Sequence, residues 1–397
     1  MLTIMTLAQV GGAVVQQGFG SLAPSIVHFF HVSKAQLGLA FTAIAAGSAI
    51  TVALGGALVD RFGERTVTIF AGVAIAVSLV IAAAIPSYPW LAAWLFVMGI
   101  AYANVTPAGG RAILTWFARD RGLAMSIRQM GVPVGGVLGG LLMPAIAVRF
   151  GYQYALVTGG LLTLFLTSGS ALFYRDPEGR EFPATHARQL LRGMQTIARD
   201  PRTIWFTALC AMLSVVQQVM NGFLALTATS LAHTTVAFAA IVFITAQSAS
   251  IVGRLLWGWM SDQVFRGDRV LPIVLICVLC ILAGVGMAYT SPGHLTLLFA
   301  CAILLGGAGA GWNGLFAAAM AEIGGARFAG SALGIGLTAV FVTGAIGPWV
   351  FGAFADAFGL EAAWWCVALL GVAGLLPALL ARRAFAAADL RERAALG

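Results

Sequence analysis

Three arginines stand within or at the edge of long apolar runs: Arg111, Arg128 and Arg254. At the bilayer centre each costs about 2.5–3.5 kcal/mol on insertion scales, so each needs a reason to be there. Arg254 lies eight residues before Asp262, about 12 Å along a helix. Arg128 lies seven residues after Arg121, about 10 Å. One reason is snorkelling, in which the long stem carries the charge to the nearer face. The other is chemistry. No Asp or Glu falls in the middle of an apolar run; Asp60, Asp262, Glu322, Asp356 and Glu361 are all terminal. A guanidinium in a low-dielectric cavity without a protein counter-ion is a ready anion site, and its planar fork suits a carboxylate. Arg254 has the strongest case, because its surroundings are apolar and its own run holds no acid. The membrane-embedded charge balance is positive, which favours an anionic small molecule.

Other chemistries find less support. Cys277-x-x-Cys280 has a redox or metal spacing, but no His or further Cys stands nearby, so both read as small core residues. His28, His31, His233 and His294 lie near run ends and read as interface residues without a coupling role. There is no metal-ligand cluster, nucleophile–base constellation or phosphate-cradling loop, so no enzyme and no cofactor is expected. No Arg-rich, aromatic-interleaved surface suggests nucleic acid.

The elements that must position these residues are membrane helices. Hydrophobic residues make up 60% of the chain and charged residues 9%, against roughly 25% charged in a soluble domain. Mean hydropathy is +0.95. The 49 glycines suit helices that pack closely through small residues. The apolar runs are continuous rather than alternating, which argues against a β-barrel. Runs of about 20 residues or more, enough to cross the hydrocarbon core, fall near 6–29, 35–58, 66–85, 90–112, 122–147, 152–174, 204–231, 236–258, 270–290, 294–320, 330–355 and 361–381. The expected fold is an all-α membrane protein of about twelve spans. The first run reads as a span, not a removed signal.

Alternate loops carry the basic residues: Arg61 and Arg65, Arg119 and Arg121, Arg175 through Arg202, Arg266 and Arg269, Arg327, and Arg382 onward. The opposite set has only Lys34 and Arg149. Both termini and the central loop are therefore expected in the cytoplasm, with the chain in a bacterial inner membrane. Residues 175–202 break the apolar pattern and join two bundles, 1–174 and 203–397. Leu190, Leu191, Met194 and Ile197 recur at helical spacing within that linker. Part of it lies on the membrane surface or, on the alternative reading, it is simply solvated.

The chain also repeats itself. Gly55-Gly56-Ala57-Leu58-Val59-Asp60-Arg61-Phe62-Gly63-Glu64-Arg65 reads as a tight loop between spans. Its partial echo is Gly253-Arg254-Leu255-Leu256-Trp257-Gly258-Trp259-Met260-Ser261-Asp262, pairing Gly56 with Gly258 and Asp60 with Asp262. Gly122, Gly136, Gly139 and Gly151 pair in the same way with Gly330, Gly344, Gly347 and Gly359. Two parallel six-helix halves are an architecture of secondary transporters, with the site between the halves near mid-membrane.

Over nearly its whole length the chain resembles the major facilitator superfamily. The run from Gly55 to Arg65 looks like that superfamily's signature loop between helices two and three, and Gly258 to Asp262 like its copy between helices eight and nine. The resemblance implies gating roles for Asp60, Arg61, Arg65 and Asp262. Trp116-Phe117-Ala118-Arg119-Asp120-Arg121-Gly122-Leu123-Ala124 is similar to the start of helix five in the monocarboxylate and oxalate/formate branches. Arg254 falls where those branches anchor substrate in helix eight; from the charge argument above, Arg128 is expected to assist it. Pro24-Ser25 replaces the helix-one lysine of animal monocarboxylate transporters and Ser250 the helix-eight aspartate, so their proton-relay pair is missing. Ile127-Arg128-Gln129-Met130-Gly131-Val132-Pro133-Val134-Gly135-Gly136 partly resembles an antiporter motif, and glycine-rich packing explains it as well. In the superfamily helices one, four, seven and ten line the cavity. That implies a lining of Gln16, Gln17, Asn104, Thr106, Gln217, Gln218, Asn221, Trp312 and Asn313.

The expected function is alternating-access transport of a small organic anion, such as a carboxylate, by a monomer, with protons as a candidate coupling ion. A drug or metabolite efflux antiporter is the alternative, although it calls for a membrane-embedded carboxylate. A non-transporting sensor on the same fold is an alternative of another class.

Overall fold

The computed structural model describes residues 1–117, 121–175 and 195–396; for 52–57, 60, 114–115, 121–123, 326–331, 389 and 391–396 it describes the backbone alone. The described residues are helices and short turns, with no strand among them. We number the membrane-crossing segments α1 to α12. They are α1 (2–30), α2 (Lys34–Phe62), α3 (Glu64–Ala84), α4 (88–116), α5 (Arg121–Phe150) and α6 (Tyr152–Leu172). After the linker come α7 (Pro201–Ser230), α8 (Val236–Gln263), α9 (Val270–Ala288), α10 (Leu295–Gly325), α11 (Ala332–Phe358) and α12 (Leu360–Leu396). By length and composition the ten segments from α3 to α12 are each able to cross a membrane.

Several of these helices are broken. α1 passes through a 3-10 turn at Phe19–Leu22. α4 breaks between Tyr102 and Val105. α10 loosens into a π-turn at Leu305–Gly309 and restarts at Asn313. Side chains take up the carbonyls freed in α10: Trp257 Nε1 donates to the Gly307 carbonyl at 2.7 Å and Ser250 Oγ to the Ala310 carbonyl at 3.2 Å. Broken helices of this kind are the usual material of transporter sites.

The turns are tighter than the sequence suggested. The Gly55–Arg65 stretch is helix through Phe62, and the only non-helical residue between α2 and α3 is Gly63. Its φ of 84° and ψ of 159° lie in a region essentially reserved for glycine. Gly151 (φ 98°) and Gly359 (φ 92°) join α5 to α6 and α11 to α12 in the same conformation, so the repeated glycines of the two halves are the same backbone joint. The predicted 361–381 run extends to Leu396 as one helix. Most of 175–202 lies outside the described residues, including Leu190, Leu191 and Met194; Ile197 is buried in the main core.

One end of the bundle gathers the polar joints. There Met5 packs with Ala112 and Tyr174, and Phe206 with Phe385. Arg269 bridges Asp262 at 2.6 Å and Glu322 at 2.7 Å, tying the ends of α8, α9 and α10. Burial works against the Arg269 charge, but its bonds to Glu322 and Asp262 outweigh this and raise its proton affinity. We call this end the linker face.

Two long seams bring the chain's halves together. Along the first, α2 meets α11: Gly38 faces the backbone of Pro348 and Trp349, and Gly352 faces that of Lys34 and Ala35. Thr42 Oγ1 donates to the Ala345 carbonyl at 2.5 Å. At the end opposite the linker face, Asp356 accepts from the N–H of Lys34 at 2.9 Å and of Ala35 at 2.8 Å, capping α2 from another helix. Along the second seam α5 meets α8, with Gly136 against the Gln247 side chain and Gly140 against Phe243 and Ile244. Between the seams, α1 touches α7 where Gly20 abuts the Asn221 carbonyl.

Candidate functional site

The two inner arginines meet at the α5–α8 seam. Arg128 is 1% exposed, so the snorkelling explanation fails for it in this conformation. Its Nη1 donates to Gln9 Oε1 of α1 at 2.5 Å and its Nη2 to Gln129 Oε1 at 3.3 Å. Gly109 of α4 makes the room, since a Cβ there would lie 2.7 Å from Arg128 Nη1. Arg254, partly buried on α8, donates through Nη1 to the Gln129 carbonyl at 3.2 Å. Tyr102, at the break in α4, lies within electrostatic reach of both arginines and of Gln9.

All the partners of the two guanidiniums are neutral. Among the described residues no carboxylate lies within 4.0 Å of either. The Nε of Arg128, the Nε of Arg254 and Nε2 of Gln9 are buried without a hydrogen-bond partner. Buried donors are rarely left so, and two guanidiniums with only neutral hydrogen-bond partners concentrate positive charge at one seam.

Arg111 is different. Its Nε lies 3.4 Å from Glu64 Oε1, and the Glu64 side chain is fully buried. The sequence placed Glu64 in a tight loop between spans. Instead it opens α3 beneath α4, where Arg111 balances it. A paired arginine at this depth has its counter-ion already.

Thr106 is half-buried in α4, and the other lining residues expected from the sequence fall into two sets. Asn313 Nδ2 donates to Gln217 Oε1 at 3.2 Å. Asn221 Nδ2 donates to Gln218 Oε1 at 3.2 Å and its Oδ1 accepts from Gln247 Nε2 at 3.1 Å. These amides of α7, α8 and α10 thus pair with one another. In the second set Gln16 Oε1, Gln17 Oε1, Asn104 Oδ1 and Trp312 Nε1 are buried without partners. The structure adds Gln9, Tyr102, Gln129 and Gln247, which the sequence reading passed over as site residues.

Of the gating candidates, Arg61 is exposed and stacks over Phe62 at 5.3 Å. Asp262 is bound to Arg269. Arg65 follows Glu64 in the first turn of α3. The Asp60 side chain lies outside the described residues.

Comparison with known proteins agrees with this architecture. A family profile described as Major Facilitator Superfamily matches residues 5–348. An uncharacterized MFS-type transporter of Mycobacterium tuberculosis is 30% identical over 333 residues, covering 82% of this chain and 72% of the relative. The "Probable sulfoacetate transporter" of Cupriavidus necator is 29% identical over 176 residues, 44% of this chain and 40% of that one. In fold, the chain superposes on a bacterial homolog of the human lysosomal transporter Spinster with a TM-score of 0.81 at 18% identity, covering 97% of this chain and 96% of the other.

Proposed function

The chain belongs to the major facilitator superfamily, a family of membrane transporters and not of enzymes, and from that premise we propose that it carries a small organic anion, a carboxylate or sulfonate, by alternating access. The observation that supports this is the pair Arg128 and Arg254, each with an unpartnered Nε and no carboxylate beside it. An anion supplies what both lack: charge balance and acceptors for the open edges of the forks. Similarity to a probable sulfoacetate transporter points the same way, since sulfoacetate is an organic anion. On this reading residues 1–174 and 203–397 are two bundles that rock about the site, and the linker face is cytoplasmic in a bacterial inner membrane. The carrier works as a monomer. Gln9, Gln16, Gln17, Asn104 and Trp312 contact the rest of the substrate, while the mutually paired Gln217, Gln218, Asn221 and Asn313 hold α7, α8 and α10 in register. Asp60, Arg61, Arg65 and Asp262 serve the opening and closing of the linker face.

The test is uptake into proteoliposomes by wild type, Arg254→Ala and Arg128→Ala across a panel of carboxylates and sulfonates. Removing one charge-assisted partner of an anion costs about 1.5–3 kcal/mol, or roughly 10- to 150-fold in affinity. The expected result is uptake of at least one anion, lost in Arg254→Ala and lowered in Arg128→Ala while both variants insert. Uptake of cationic or neutral compounds alone, indifferent to Arg254, refutes the anion reading and supports efflux antiport. Imposing a pH gradient in the same vesicles tests proton symport; an unchanged rate favours exchange or facilitated diffusion.

A further inference from the structure

Within α5 the carbonyl of residue 129 would ordinarily bond the N–H of residue 133. Residue 133 is Pro133, inside the helix, and it has no N–H to give. Its ring also crowds the carbonyl four residues earlier and turns it outward. The Gln129 carbonyl is therefore an acceptor that its own helix cannot satisfy, and the group that satisfies it is Arg254 Nη1 from α8, at 3.2 Å. The side chain of the same residue accepts from Arg128 Nη2 at 3.3 Å. Gln129 thus holds one guanidinium by its amide and the other by its backbone, and the second bond crosses the seam between the halves. Both acceptors are neutral, so the two arginines are positioned without being discharged.

We propose that the Pro133 defect makes the Gln129 carbonyl a resting place for Arg254 in the empty carrier, and that an arriving anion draws Arg254 away from it. Gln129 is then the positioning residue through which occupancy of the site reaches the α5–α8 seam. The release step rests on the anion reading above; the resting contact stands on the helix geometry alone. A carbonyl oxygen carries only a partial charge, so a carboxylate or sulfonate is the stronger acceptor for a guanidinium and displaces it. What is broken in exchange is one cross-half bond, which loosens the seam when the site fills.

Two variants test this. Pro133→Ala restores an N–H that competes for the carbonyl. Gln129→Glu gives Arg128 an internal counter-ion, with the neutral Gln129→Met as its control. Spin labels at Ser126 and Leu256, both exposed on the facing helices, report the seam in a Cys366→Ser background, the remaining cysteines being buried. The anion-free Pro133→Ala protein is expected to show the seam distances that wild type reaches only with anion bound. With sulfoacetate, malonate and benzoate as probes, Pro133→Ala is expected to bind the preferred anion about tenfold more tightly, roughly the worth of one charge-assisted hydrogen bond no longer displaced. At about pH 7 Gln129→Glu is expected to bind at least tenfold more weakly than wild type, because its carboxylate discharges Arg128, while Gln129→Met is expected to stay within a few-fold of wild type.

An unchanged seam in Pro133→Ala overturns the resting contact. Binding by Gln129→Glu that equals wild type, or binding by Gln129→Met as weak as that of Gln129→Glu, overturns the role of Gln129. If no probe binds wild type while Pro133→Ala still alters the seam, the anion reading and the release step fail and the resting contact holds.

Discussion

Asp356 caps a helix that belongs to the other half of the chain, and removing it is expected to unlatch one face of the carrier. Its two carboxylate oxygens accept from successive backbone N–H groups, Lys34 at 2.9 Å and Ala35 at 2.8 Å. The Lys34 ammonium lies farther off, at 3.8 Å, with both side chains about a third exposed, so this ion pair adds little. The cap is the larger effect. Ser33 is the N-cap of α2 itself and its capping box with Gln36 is untouched; the two Asp356 bonds to the next N–H groups are each worth about 0.5–1.5 kcal/mol and also stabilise the positive end of the α2 dipole, so about 2 kcal/mol is at stake. About 2 kcal/mol is roughly a 30-fold change in an equilibrium between a closed and an open seam. Ala345 is 7% exposed and its carbonyl accepts from Thr42 across the same seam, so a cysteine placed there is shielded while the seam is shut. The assay is the rate of maleimide labelling of Ala345→Cys in purified protein lacking Cys366, with and without Asp356→Ala. When opening is fast relative to labelling, the rate follows the open fraction and is expected to rise about 10- to 30-fold. Asp356→Asn, which keeps one acceptor, is expected to fall between. An unchanged rate refutes the cap as a latch. An equal rise at a reporter on the linker face refutes it too, because that outcome means general loosening.

Two further substitutions test the frame around the site. Glu64→Gln removes the buried carboxylate 3.4 Å from Arg111 and is expected to cost about 1.5–3 kcal/mol, the worth of a bond to a charged group, read as a fall in the thermal midpoint of the purified protein. Arg111→Met with Glu64→Gln is expected to recover most of that loss, because a neutral pair in the same volume strands no charge. Gly306→Val is expected to prevent stable insertion, since even a Cβ at this position would overlap the Ala246 carbonyl where α10 crosses α8. Gly258→Ala, with open space around it, is expected to express like wild type; fluorescence-detected gel filtration of both glycine variants checks this.

Much of this arrangement was legible in the residues themselves. Long apolar runs located the spans, and the pairing of Gly151 with Gly359 located two joints whose backbone only glycine tolerates. The absence of a mid-span acid near Arg254 is a property of composition, and the fold preserves it. What the one-dimensional pattern hid was partnership over distance. Gln9 stands 119 residues from Arg128, and only the α1–α5 contact brings them together. A signal did exist: Gln9 and Gln16 are seven residues apart, on one helical face. Glu64 and Arg111 were both visible, but each looked terminal, because hydropathy measures distance from a run's end and is blind to a neighbouring helix at the same depth. In the sequence Pro133 belongs to a glycine-rich motif. That it sits four residues after Gln129, and so disarms a carbonyl, follows from helix geometry.

The single-glycine joints at Gly63, Gly151 and Gly359 leave no slack between the helices they connect. α2 with α3, α5 with α6 and α11 with α12 are therefore stiff hairpins: a tilt of either arm drags its companion. The turn between α8 and α9 is built otherwise, from residues 264–269 with Arg266 and Gly267 in left-handed conformations, and its geometry is kept by Arg269 bridging Asp262 and Glu322. Of these four joints, three are set by a glycine backbone and one by exposed ion pairs. The exposed carboxylates of Asp262 and Glu322 are open to screening by dissolved salt, so the α8–α9 corner is a place where ionic strength would tune how freely the carrier rocks.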